Sequence, residues 1–290
     1  MNEDKKIQIL AYIELAKPRI SSLVLVTTLI GFFLGGRGVH SAELLFYTLL
    51  GALLTCAGAS ALNHYLERES DGKMFRTQNR PIPKGVIAPA KALAYGVILI
   101  LLGIITLYLK VNLLTAFLSL LTAFLYVLVY TPMKKLTWLN TTIGAIPGAL
   151  PPMGGWAAAT GDISLGAWVL FLILFIWQHP HFYAIALMFK DDYKRGGFKM
   201  LPVIDPTNTR TFNHIIIFLI LLVPASLLPA LIGMSGRLYL YGAGVLSLTL
   251  LLIGLSLASS RSLQDARKLL RATVVYLPLL LFLIILDVSF

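Results

Sequence analysis

Apolar runs long enough to cross a bilayer constrain this chain more than any other feature. A helix needs about 20 mostly apolar residues to span the hydrocarbon core. Nine stretches approach that length: 20–36, 44–63, 92–109, 113–131, 139–158, 165–189, 212–233, 238–258 and 271–289. In lipid every backbone N–H and C=O must be bonded within the protein, so such runs fold as helices packed together. The expected fold class is therefore all-α, a polytopic membrane protein with nine transmembrane helices. The first run carries no small-residue cleavage site and eight more follow, so it reads as a retained span, not a signal peptide. Linkers are short and no low-complexity segment interrupts them, so 1–290 reads as one membrane-embedded domain.

Composition supports this reading. Hydrophobic residues make up 58% of the chain and charged residues 13%, about half the charged share of a soluble domain. A water-soluble enzyme and a disordered regulator are excluded. The only cysteine, Cys56, lies inside an apolar run and can form no intrachain disulfide.

The basic residues set the orientation. Taking alternate loops together, 21 of the 24 lysines and arginines fall on one side; only Arg37, Lys110 and Arg237 fall on the other. Positive residues concentrate on the cytoplasmic face. The expectation is a multi-pass protein of the cell (inner) membrane with a cytoplasmic N-terminus and an external C-terminus. The net charge of +11 does not point to nucleic acid, because the cations lie in short loops between spans. Part of it serves topology and anionic membrane lipid.

The remaining cations cluster beside acids in two loops. After the second span, Asn63, Glu67 and Asp71 stand at i, i+4 and i+8, so an amide and two carboxylates share one helix face. Carboxylates in a last helical turn meet the negative end of the helix dipole and call for a compensating cation. Hard divalent ions, magnesium above all, select such oxygen donors and leave positions for substrate phosphate. Arg68, Arg76 and Arg80 follow, and guanidinium forks suit phosphate oxygens. A helix end snorkelling into water is the bland reading of any one of these residues; the whole set favours a site.

The sixth span ends in Trp177, Gln178, His179, Pro180, His181, Phe182 and Tyr183, and leads to Asp191, Asp192, Lys194 and Arg195. A carboxylate pair thus again closes an even-numbered span on the same side. The two clusters could meet over one cavity, hold magnesium and clamp a diphosphate, whose loss from an allylic carbon is assisted by metal and arginine charge. Ionisable residues at membrane depth are functional candidates, although a lone histidine more often rests in a core with its hydrogen bonds satisfied. Weaker marks are Tyr130-Thr131-Pro132 ahead of Lys134 and Lys135, and a fifth span rich in Gly and Pro, as in helices that pack closely or break around a cavity.

Residues 63–81 (NHYLERESDGKMFRTQNRP), 177–203 (WQHPHF…DDYKRGGFKMLPV) and the fifth span (IGAIPGALPPMGGW) resemble the UbiA-type intramembrane prenyltransferase superfamily. They resemble most closely its protoheme IX farnesyltransferase (heme O synthase) branch. The resemblance covers essentially the whole chain. It implies nine helices around a central cavity, with a magnesium and diphosphate site under cytoplasmic cap loops. It implies farnesyl transfer from farnesyl diphosphate to a vinyl group of heme B, with water added, giving heme O. Position by position, Asn63, Glu67 and Asp71 match the first metal motif, and Arg68, Arg76 and Arg80 its phosphate-contacting arginines. The second motif is shortened: Met188 and Phe189 precede Lys190, and only Asp191 and Asp192 remain, with Lys194 and Arg195 behind them. The His-Pro-His segment distinguishes the heme branch. On this reading His179 or His181 anchors heme, and Trp177 and Tyr183 offer rings to the macrocycle. A heme-modifying enzyme or terminal oxidase stays open as a protein partner. Two other readings stay open: a prenyltransferase for an aromatic quinone precursor, and a secondary transporter with acids in its cavity.

Overall fold

The computed structural model describes residues 3–289; Met1, Asn2 and Phe290 lie outside that range. Among the described residues the long elements are all helical. Helix α1 (Glu3–Leu15) precedes α2 (Pro18–Gly35), α3 (Ala42–Asp71), α4 (Pro89–Lys110) and α5 (Leu113–Phe124). A π-helical stretch, Leu125–Tyr130, joins α5 to α6 (Thr131–Leu136). Then come α7 (Asn140–Thr160), α8 (Leu165–Met188), the short α9 (Lys190–Arg195) and α10 (Leu201–Ile204), α11 (Thr209–Leu231), α12 (Arg237–Ser260) and α13 (Leu263–Leu286).

The protein is a multi-pass membrane protein, but the expected count of nine spans is not confirmed. Eight segments among the described residues are long and apolar enough to cross a membrane. The segment that misses is the 21-residue α7, interrupted by Pro147, Pro151 and Pro152. Its small and polar residues dilute its hydropathy because much of it faces other helices: it packs on α2, α5 and α8, with Ala145, Ala149 and Ala157 fully buried. By contrast α4 and α12 present Leu101, Ile105, Leu109, Leu248 and Leu252 outward, which suits a hydrocarbon solvent.

Without a hydrophobic drive between helices in lipid, close contact must come from small residues. A Cβ added to Gly58 in α3 would lie 2.5 Å from the Gly96 carbonyl oxygen in α4, and one added to Gly155 in α7 would lie 1.9 Å from that of Thr28 in α2. Backbones touch at both places. Farther along, α8 packs on α11 and α13, and α12 bridges those two. Their shared core holds Leu170, Ile173, Leu219 and Tyr276.

Two features position the site. Helix α3 has 30 residues, about 45 Å at 1.5 Å per residue, longer than the roughly 30 Å hydrocarbon core. Its last turns therefore reach the membrane edge. The π-helical stretch follows from Pro132, which removes an N–H and clashes with the carbonyl four residues earlier. Thr131 Oγ1 donates instead to the Tyr126 carbonyl at 2.8 Å. The widened turn directs Tyr126, Thr131 and Lys134 toward the end of α3.

Candidate active site

The far end of α3 buries three oxygen donors, and each meets a cation. Lys17, in the short break between α1 and α2, donates from Nζ to Asn63 Oδ1 at 2.7 Å. Lys134 Nζ lies 2.7 Å from Glu67 Oε1. That oxygen is in ion-pair contact but has no aligned hydrogen bond. Arg80 reaches back from the loop and donates Nη1 to both Asp71 oxygens, at 2.8 and 2.7 Å. Asn63 Nδ2 completes the arrangement by donating to Thr131 Oγ1 at 3.0 Å. Desolvation and the nearby Arg80 push the Lys17 ammonium below the usual lysine range.

A cap formed by residues 72–88 covers this end. Thr77 Oγ1 donates to the Asp71 carbonyl at 2.9 Å. Asp192 ties the cap down by accepting the amides of Phe75 (3.0 Å) and Arg76 (3.3 Å), and it also pairs with Arg195. Desolvation pushes the Asp192 carboxyl up, but the Arg195 hydrogen bond and the two amides outweigh it, leaving the group below the usual aspartate range. Arg76 lies over the rings of Phe189 and Tyr193, and Arg195 over Phe75. Lys199 N–H donates to the Lys134 carbonyl at 2.7 Å. The loops after α3, α6 and α8 therefore gather at one end of the bundle.

The two acidic clusters meet through the cap, not around one ion. Asp192 braces backbone, Asp191 is exposed, and no group of three His, Cys, Asp or Glu among the described residues is placed to hold a metal. Arg68 donates Nη1 to the Tyr65 carbonyl at 2.7 Å and lies over that ring; Arg76 is exposed against Tyr193. Arg80 alone of the three arginines pairs with the buried acids. Lys194 is exposed. Magnesium needs only one or two carboxylates beside substrate phosphates. Glu67, with an oxygen lacking a hydrogen bond, fits such an ion together with the donor one turn to either side, Asn63 or Asp71; the second cluster fits a structural brace.

The two histidines of α8 point to different helices, since a two-residue step turns about 200°. His179 is fully buried; Nδ1 meets the Phe175 carbonyl at 2.8 Å, Nε2 meets Thr142 Oγ1 at 3.1 Å, and the ring stacks on Phe218. Both nitrogens are satisfied. His181, half-buried, pairs Nδ1 with Thr273 Oγ1 of α13 at 2.9 Å and stacks on Trp177. Thr273 donates its own hydroxyl proton to the Leu270 carbonyl. It must therefore accept from His181 Nδ1–H, which leaves Nε2 with its lone pair. Trp177 Nε1 donates to the Thr273 carbonyl at 3.0 Å. Tyr183 is buried and stacks on His214, a core setting that removes it from the Trp177–His181 pair.

Lys17 and Lys134 were not recognisable as partners of the acids from spacing alone. Each is a charge abutting an apolar run and a proline, a signal the orientation argument absorbs.

Together these features define an integral membrane protein with a charged, roofed site at one end of a helical bundle. A digeranylgeranylglyceryl phosphate synthase has the same fold, with a TM-score of 0.82 at 18% identity, over 97% of this chain and 98% of that one. A UbiA homolog from Archaeoglobus fulgidus bound to DMAPP and Mg2+ superposes with a TM-score of 0.67 at 16% identity, over 94% and 98%. The sequence matches the UbiA prenyltransferase family over residues 24–283, and the chain belongs to that family. A protoheme IX farnesyltransferase of Solibacter usitatus (strain Ellin6076) is 49% identical over 286 residues, covering 95% of this chain and 98% of the relative.

Proposed function

We propose that this protein is a protoheme IX farnesyltransferase: it transfers the farnesyl group of farnesyl diphosphate to a vinyl group of heme B and forms heme O. One observation carries the donor half. Three buried oxygen donors, Asn63, Glu67 and Asp71, each face a cation at the membrane edge, so anionic and cationic partners for a metal diphosphate stand side by side. The likeness to the Solibacter relative supports the acceptor half.

In the reaction the allylic C–O bond breaks, its electron pair leaving with the diphosphate. The vinyl π electrons form the new C–C bond, and water adds to the resulting cation and loses a proton. Magnesium held by Glu67 together with Asn63 or Asp71 would neutralise charge on the leaving diphosphate. Lys17, Lys134 and Arg80 exchange their carboxylate and amide partners for phosphate oxygens. The cap, held by Asp192, excludes water from the ionising carbon. Arg76 and Arg195 stand at its rim, with Arg68, Asp191 and Lys194 outside the buried set. His181, its tautomer set by Thr273, offers Nε2 to the heme iron, and Trp177 lies against its ring. The second shell of a metal-bound histidine commonly takes this form. The distribution of basic residues supports a cytoplasmic N-terminus and a site opening to the cytoplasm.

Membranes containing the protein should consume farnesyl diphosphate only when magnesium and heme B are both present. Consumption with an aromatic quinone precursor in place of heme would overturn the acceptor assignment.

A further inference from the structure

His64 is an unexplained side chain beside the site. It is 2% exposed, and neither ring nitrogen has a hydrogen-bond partner among the described residues. A buried polar group left unpaired is costly, and here there are two on one ring. By contrast Asn63, Glu67 and Asp71 on the same stretch of α3 each face a cation.

The position of His64 places it among the same buried donors. It stands seven residues before Asp71, so the two lie about 20° apart around α3 and about 10 Å apart along it. The groups that face its neighbours Asn63, Glu67 and Asp71 are three cations, Lys17, Lys134 and Arg80. Three cations exclude a further cation as its partner and favour an anionic oxygen, to which a neutral imidazole donates one N–H. The farnesyl chain has no such atom. The diphosphate does, and so do the heme propionates.

We infer that His64 is a substrate-contacting residue that donates an N–H to a diphosphate oxygen of the prenyl donor, between Asn63 and Glu67 along α3. This rests on the function proposed above and adds a residue to it.

The test is pyrophosphate binding in the presence of magnesium by purified protein, with heme binding followed in parallel at the Soret band. His64→Leu should bind pyrophosphate about tenfold more weakly, the change that ~1.4 kcal/mol represents. His64→Gln, which restores an N–H donor, should bind within about threefold of the parent. Heme affinity should be unchanged in both. Ligand-free His64→Leu should melt at or above the parent temperature, because two unpaired polar atoms leave a buried position. Parent-like pyrophosphate binding in His64→Leu, or a loss confined to heme, would overturn the inference; the second would assign the ring to a propionate. A lower melting temperature with unchanged binding would assign His64 to the fold. A parent protein that binds no pyrophosphate and forms no heme O would overturn the proposed function itself.

Discussion

Replacing Arg80 by Met isolates the charge exchange on which the site depends. The guanidinium grips both oxygens of Asp71, whose side chain has no exposure, while that of Arg80 is 25% exposed. Removing one partner of a buried pair costs about 3–5 kcal/mol. Water can reach part of the space Arg80 leaves, so the lower end, about 3 kcal/mol, applies. A large domain loses about 2 °C per kcal/mol, so Arg80→Met should melt ~6 °C below the parent in detergent micelles. The double variant Arg80→Met, Asp71→Asn removes both charges and should recover most of that loss. Magnesium at about ten times its dissociation constant should return ~1.4 kcal/mol to the single variant, and less to the parent, where Arg80 competes for the same oxygens. The reasoning is refuted if Arg80→Met melts with the parent, or if the double variant is no more stable than the single one.

Three further outcomes follow from other parts of the structure. His181→Ala should lose most heme binding at the Soret band, whereas His179→Ala should keep it and melt lower; the reverse would move the acceptor to the α7 side of α8. The Asp192 pKa is lowered on folding, so its contribution to holding the cap is complete above the ordinary aspartate value of about 3.9 and fades as pH falls through the folded value. Hydrogen exchange over 72–88 should therefore be flat from pH 7 to 5 after correction for intrinsic rates, and Asp192→Asn should raise it at pH 7; equal exchange in both proteins would remove Asp192 as the tether. Gly155→Val, which drives a side chain into the Thr28 carbonyl, should abolish folded yield, while Gly154→Ala, with open space at its Cβ, should be tolerated. Equal yields would mean α2 and α7 are not in backbone contact.

The spans were legible because hydropathy over about 20 residues reports the solvent directly. Residues 139–158 also read as a span, yet α7 falls short of the others in apolar character: its prolines and small residues answer to neighbours that a window cannot see. At the site, the shared face of Asn63, Glu67 and Asp71 could be read from helical period alone, and all three are buried together. Their partners could not. Lys17 arrives from 46 residues away, and Lys134 through a π-helical stretch whose wider turn shifts the register. Asp192 carried a ligand's residue type, but its place against the Phe75 and Arg76 amides depends on how the cap folds back. The two histidines, two residues apart, fall on different faces by helical period alone; which of them keeps a free nitrogen depends on Thr142 of α7 and Thr273 of α13.

The central claim is tested most directly by the product. Purified protein in lipid nanodiscs should be incubated with farnesyl diphosphate, heme B and magnesium, and the extracted heme separated by chromatography and weighed by mass spectrometry. The account predicts a heme heavier by one farnesyl group plus one hydroxyl group, formed only with all three present and lost in Asp71→Asn. Unchanged heme B from protein that retains its fold and binds farnesyl diphosphate would contradict it.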